Sequence, residues 1–509
     1  MNVSTFLEHW NIRENPFLAE EARQDHVFAL LSEGGTDSAA HSESKHPDFD
    51  KILGDPGRPA TAIVFGEKGA GKTAIRLQIE EAIRDYNQRR PDARTLIVAY
   101  DDLNPILDHY VRSHGDRSVG EALQRLRLVD HIDGILASAV PSLVDAALRP
   151  GSSSIDLGSR PAETLKRLEP EAKRGWVALQ LLYDRADRHV ERGRLLRRAL
   201  RLWAPTWTRT LKGVAGILWV LFIALLLVRA FAADETRSWA ETLGLWGTGG
   251  LAAAVTLRVL VDFLWVWRRS RRLARQLRVV DRSALGFRLA LSRTPWSLLD
   301  ALPLPTDDLD DTRYRLLDDL LAGIAPFGYT NVVVLIDRID EPTLVSGETQ
   351  RMKALVWPLF NNKFLQLDHF ALKMMLPIEL RHELHRQSRE FFQEARMDKQ
   401  NLVDRLTWSG TTLYDLCAKR LKACHSGGTE ISLIDLFDDT VTRQDVVDAL
   451  DQMRQPRDAF KMMYQLIQQH CTTTTDEEAN WHIPKLVLDQ VRRGQVERLD
   501  ALQRGTGPA

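Results

Sequence analysis

Cysteine is scarce in this chain: Cys417, Cys424 and Cys471 are the only three among 509 residues. Three thiols cannot build a disulfide framework, and their spacing fits no common zinc pattern, so they read as reduced thiols. Net charge is lacking too, at -1, which removes the average basic excess that would argue for nucleic acid. The opening stretch MNVSTFLEHWNIRENPF contains acids and no apolar core, so no secretory signal peptide is expected there. No internal repeat is visible. What is present is 44% hydrophobic and 27% charged residue, ordinary for folded protein and enough for about two to four domains.

Residues 1–32 read as a helix-rich entry segment, and EGGTDSAAHSESKHPD (33–48) as an exposed loop or linker. The run TAIVF from Thr61 is short, apolar and β-branched and then meets glycine, the pattern of a buried strand. From Ala74 the helical spacing of Ile75, Leu77, Ile79 and Ile83 follows. TLIVA (95–99) predicts a second strand, a helical stretch runs to about Ala147, and PGSSSIDLGSR (150–160) reads as a linker. NVVVLI (331–336) is the strongest β signal, and FALKMML (370–376), closed by Pro377, is another. From Glu379 the pattern is mainly helical, with polar breaks at 425–429 and 472–478.

Between these α/β stretches lies GVAGILWVLFIALLLV (213–228), free of charge and continuing past Arg229 to Ala233. About 20 apolar residues span a bilayer, so the segment is long enough. A weaker one starts at LGLWGTGGLAAAVTL (243–257) and runs to Trp267 despite Arg258 and Asp262, which stand four apart and can pair on one helix face. Arginines crowd both outer flanks, at 188, 192, 194, 197, 198 and 201 and again at 268, 269, 271, 272, 275 and 278. The connecting turn, DETRSWAE, has only Arg237 beside three acids. The positive-inside rule therefore predicts a two-helix hairpin with both outer ends and both termini cytoplasmic. The arginines could also serve nucleic acid, or hold anionic lipid head groups.

GEKGAGKT (66–73) sits between the first strand and its helix. A phosphate loop needs glycines to turn backbone N–H groups inward, a lysine for the β- and γ-phosphates, and a hydroxyl for Mg²⁺. Gly66, Gly69 and Gly71 supply the turn, Lys72 the charge and Thr73 the hydroxyl. With Ala70 and Ala74 these are the candidate nucleotide-binding residues, at a helix start whose dipole faces the phosphates. Lys68 reads as a solvated loop charge. The second constellation is NVVVLIDRIDE, where Asp337 ends a strand and is the candidate partner of Thr73 at Mg²⁺. Asp340 and Glu341 are candidates to orient the attacking water, with Glu341 preferred. Nothing like the Asn-Lys-x-Asp signal of GTPases follows, so ATP is the expected substrate. His382 and His385 lack a third ligand and read as a solvated or core pair.

This pair resembles the Walker A and Walker B motifs of the ASCE division of P-loop NTPases, and the DRIDE ending is similar to that of STAND and KAP-type members. Membrane helices lodged between the two motifs make the architecture resemble the KAP family most. The resemblance implies a three-layer αβα P-loop core interrupted by a two-helix transmembrane hairpin, with a helical C-terminal region. The expected boundaries are an entry segment (1–50), a first half of the NTPase domain (51–185), the hairpin with its basic flanks (186–280), a second half (281–425) and the helical region (426–509). It further implies a homo-oligomeric, Mg²⁺-dependent ATPase of the inner membrane, active in signalling or assembly, with bacterial defence against phage among the roles of relatives. Asn15-Pro16-Phe17 resembles the entry peptide of some bacterial AAA-like ATPases, or is a turn with a packed aromatic. Arg457, in Pro456-Arg457-Asp458, resembles their Pro-Arg sensor element, and Arg396 and Arg405 are candidate fingers for a neighbouring subunit. These elements keep two other readings open, a DNA-associated motor or loader and a nucleotide-switched scaffold with little turnover.

Overall fold

Short apolar runs closed by glycine, proline or aspartate become strands, and the computed structural model shows five of them among the described residues. They are β1 (Ala62–Gly66), β2 (Arg94–Tyr100), β3 (Tyr329–Ile336), β4 (Phe370–Pro377) and β5 (Asn401–Val403). The structure describes residues 1–18, 22–33, 45–115, 118–202, 207–231, 244, 246–305, 309–426, 431–475 and 479–503. The principal helices in chain order are α1 (Val3–His9), α2 (His26–Glu33), α3 (Phe49–Leu53), α4 (Lys72–Arg89), α5 (Leu128–Leu148), α6 (Pro170–Tyr183) and α7 (His189–Ala199). They continue as α8 (Trp207–Phe231), α9 (Trp246–Gln276), α10 (Ala284–Ser292), α11 (Trp296–Leu299), α12 (Asp310–Ile324), α13 (Ile378–His385), α14 (Gly410–Cys424), α15 (Arg443–Asp451), α16 (Pro456–Thr473) and α17 (Lys485–Gln503).

The strands form one parallel sheet in the order β2-β3-β4-β1-β5. The register pairs Ala62 with Lys373 of β4 and with Asn401 of β5. Every residue of β1 and β4 is buried, as a parallel sheet covered on both faces requires. Lys373, 1% exposed in the middle of β4, is the exception in chemistry. Its Nζ donates to the carbonyls of Ile52, Leu53 and Ala60 at 2.7, 2.9 and 2.7 Å, so the ammonium caps the carbonyl end of α3.

The chain forms two compact units, and β3 passes from one to the other. The first comprises Met1–Arg90, Val333–Lys353 and Phe360–Ala509. Its helical part has a core built from α1, α14, α15, α16 and α17, with Phe6, Leu413, Leu450 and Met462 fully buried. Cys417, Cys424 and Cys471 are free and buried in that core.

The second unit comprises Pro91–Val332 and Ala354–Leu359. Among the described residues, three helices are long and apolar enough, by length and composition, to cross a membrane. In α8 the apolar stretch Thr210–Val228 has none of its residues buried, in α9 17% are buried, and in α5 67%. Sequence periodicity did not single out α5, and its burial makes it a core helix here. Helices α8 and α9 of the expected hairpin pack against each other, with Trp219 Nε1 donating to Thr256 Oγ1 at 3.0 Å. Arg258 and Asp262 pair at 3.2 Å. The polar turn DETRSWAE and most of the 33–48 loop lie outside the described residues.

Candidate functional site

The loop between β1 and α4 holds the GEKGAGKT residues and turns on two of its glycines. Gly69 and Gly71 have φ of +97° and +91°, a region where side chains other than glycine are strained. A Cβ on Gly69 would stand 2.9 Å from Gln455 Oε1 and 3.1 Å from Arg457 Cβ. Gly71 immediately precedes α4, so the helix opens at Lys72. Lys72 Nζ donates to the carbonyls of Gly66 and Glu67 at 2.7 and 2.9 Å. Trp408 Nε1 donates to Ala70 O at 2.9 Å, and Ala74 lines the cavity described below.

At the carboxyl end of β3, two strands away, Asp337 is 1% exposed. Thr73 Oγ1 donates to its Oδ2 at 2.9 Å, across 264 positions of sequence. Burial pushes the Asp337 carboxyl up, against the Thr73 hydroxyl, the Arg338 N–H and the charges of Arg76 and Lys72. Burial pushes Lys72 down, against the opposing pull of Asp340, Asp337 and Glu379, while Arg457 adds to the lowering. Three carboxylates thus act electrostatically on one half-buried ammonium. Arg338, between the acids, has φ of +58°, a conformation uncommon for any residue other than glycine. Glu341 pairs with Arg338 at 3.2 Å and its side chain is 56% exposed.

A cavity of about 860 Å³ in the first unit is lined by Lys72, Thr73, Asp337, Asp340, Glu341 and Arg457 at one end. Phe28 and Leu31 of α2, with Leu53 and Tyr86, supply apolar wall. That volume and mixture suit a small-molecule ligand. Arg457 stands at the second position of α16, after Pro456, and its Nε is buried without a partner.

Several contributors were not foreseen. Glu67 accepts from Arg405 and from Gln455, so Arg405, considered as a finger for a neighbouring subunit, engages the loop of its own chain. Arg396 donates to Gln366 Oε1 at 3.3 Å. Glu379 lies just beyond the end of β4, where the rule that found Asp337, an acid following an apolar strand, would also have found it. Arg420 donates to Pro16 O at 2.6 Å and pairs with Asp25 at 2.6 and 3.0 Å. Asn15 Oδ1 accepts from the Phe17 N–H at 3.0 Å, and Phe17 is 2% exposed. Asn15-Pro16-Phe17 is therefore a turn with a packed aromatic, clamped by Arg420.

Mg²⁺ takes one or two protein oxygens and fills its octahedron with water and phosphate oxygens. Thr73 and Asp337 supply such a pair. No group of three or more His, Cys, Asp or Glu suited to a metal occurs among the described residues. No family model, curated protein or solved structure matches the chain.

Proposed function

We propose that the first unit binds Mg²⁺ and ATP and hydrolyses the γ-phosphate, in a chain anchored by α8 and α9 and acting in signalling or assembly at the cytoplasmic membrane face. The observation that carries the reading is the 2.9 Å contact of Thr73 with Asp337. A loop hydroxyl and a strand-end carboxylate meet where a phosphate loop would present nucleotide, at the carboxyl ends of the strands. Strand order supports it as well: β4 lies between β1 and β3, and the Thr73–Asp337 contact closes that gap at the strands' carboxyl ends.

In this reading the backbone N–H groups around Gly69 and Gly71 cradle the phosphates. Lys72 exchanges its two carbonyl acceptors for β- and γ-phosphate oxygens. Mg²⁺, held by Thr73 and Asp337, would supply charge neutralisation at the phosphates. Asp340 and Glu341 are the candidates to orient water, and Arg457 to touch the γ-phosphate. KAP resemblance favours a homo-oligomer and places phage defence among the candidate roles. The competing scaffold reading has one observation in its favour: Glu341 is tied to Arg338 rather than turned to a water site. No observation favours the DNA-associated reading.

The test is ATP turnover by the full chain in detergent, with Lys72→Ala alongside, and fractionation of cells expressing it. Turnover lost in Lys72→Ala and a chain found with the membranes support the proposal. Turnover unchanged by Lys72→Ala would sink the site, and a chain in the soluble fraction would sink the anchor. ATP binding without turnover would leave the scaffold reading.

A further inference from the structure

Helix α9 changes character along its length. Leu260, Phe263 and Leu264 are exposed apolar residues, whereas Arg268, Arg271, Arg272 and Arg275 are the exposed residues further on. Trp265 and Trp267 stand at the change, with the guanidinium groups of Arg269 and Arg271 3.7 and 4.0 Å from their ring centres. Apolar surface, tryptophan and then arginine is the order met by a helix leaving hydrocarbon through the head groups.

Helix α10 packs at this level. The Arg288 guanidinium lies 5.6 Å from the Phe263 ring centre, and Trp296 of α11 lies 4.4 Å from Trp265. One face of α10 is buried through Phe287, Ala290 and Leu291. On another face Leu285 and Leu289, one turn apart, remain 53% and 42% exposed. A helix that is apolar on both faces suits a boundary with lipid. The arrangement also accounts for the charges inside α9. Asp262 is 3% exposed and paired with Arg258, and the Arg258 guanidinium lies 5.8 Å from the Trp296 ring centre.

We infer that α10 and Trp296 form an interfacial ledge beside the α8–α9 pair, seated at the head-group and acyl boundary of an anionic bilayer with Leu285 and Leu289 as lipid contacts. This rests on reading α8 and α9 as membrane spans. The occupant is lipid because the exposed leucines continue the exposed apolar surface of α9 at the same level. Charge agrees: His189 at the start of α7 contacts Gly286 O at 3.2 Å, and Arg194 and Arg198 of α7 are exposed, a basic flank that attracts anionic head groups.

The experiment uses the full chain in vesicles of phosphatidylcholine and phosphatidylglycerol, with Cys417, Cys424 and Cys471 replaced by alanine. Leu285→Cys and Leu289→Cys are each labelled with a polarity-sensitive fluorophore. Leu221→Cys in α8 is the membrane reference, and Leu486→Cys in α17, 68% exposed, the aqueous one. The ledge predicts blue-shifted emission at 285 and 289, lost to nitroxide-bearing lipid and protected from iodide, as at 221. Lipid quenching at 221 with iodide quenching at both 285 and 289 would overturn the ledge alone. Iodide quenching at 221 as well would overturn the membrane spans together with it.

Discussion

Asp337→Asn separates two roles of one carboxylate. The amide keeps the size of the side chain and an oxygen to accept from Thr73 Oγ1, 2.9 Å away, but removes the charge. In the empty protein, burial raises the Asp337 carboxyl above its ordinary 3.8 in spite of Thr73, Arg338, Arg76 and Lys72. A raised folded-state value means that the folded chain holds this proton more readily than the unfolded one. Keeping the group ionised near neutrality therefore costs folding free energy, about 1.4 kcal/mol for each unit of displacement. The weaker neutral hydrogen bond to Thr73 is already inside that net direction. Empty Asp337→Asn is thus expected to be more stable than wild type at pH 7, with the gap closing as pH falls toward 4. Function moves the opposite way. A metal at the phosphates is worth several kcal/mol of transition-state stabilisation, so at about 1.4 kcal/mol per tenfold turnover falls by about 100-fold or more. Thermal melts of the full chain, empty and with Mg²⁺ and ATP, read both effects. Ligand at a hundredfold excess over Kd adds about 2.7 kcal/mol to wild type and much less to the variant. An empty variant that melts below wild type at pH 7, or one that keeps the full ligand shift, would refute the reasoning.

Gly69→Ala is expected to lose about 1–3 kcal/mol and to weaken nucleotide binding, because its φ of +97° and the nearby Gln455 and Arg457 leave no room; denaturant midpoints and nucleotide titration measure this. Lys373→Met leaves the carbonyls of Ile52, Leu53 and Ala60 without their donor, at about 1–3 kcal/mol for each buried group left unsatisfied, partly offset by relief of a buried cation; urea melts give the net loss. In the second unit Arg313 and Asp133 are both fully buried and 3.5 Å apart, so Arg313→Met alone should cost about 3–5 kcal/mol and the double variant with Asp133→Asn less. Burial pushes Asp133 up to about 6, so the folded chain retains that proton and wild-type stability should fall as pH rises from about 4 to about 6, a slope that Asp133→Asn removes in pH-resolved melts.

Much of the sheet was legible in the sequence because its strands are fully buried runs. TAIVF, TLIVA, NVVVLI and FALKMML each became a strand, within a residue or two of the expected ends. β5 was not legible: three residues held by pairing with β1 leave no periodic trace. Lys373 interrupts an otherwise apolar run for a reason, three carbonyls waiting for a donor, that only the packed structure supplies. The glycine-rich loop could be read because its pattern is local, and Asp337 because it follows a strand. Glu67, Arg405 and Trp408 could not, since their partners are set by how β5 and the segment after it return to the loop. The burial of α5 was likewise invisible: composition alone makes it as fit for a membrane as for a core.

The contact between Thr73 and Asp337 sets a timetable for synthesis. The two residues leave the ribosome 264 positions apart, roughly ten seconds to a minute at about 5–20 residues per second. During that interval α8 and α9 emerge, while β1 still lacks both neighbours, β4 and β5. An apolar strand without its sheet is an aggregation hazard, so the nascent chain has to shelter β1 until the last third of the polypeptide arrives. The strand that opens the pocket is the first to appear and among the last to be enclosed.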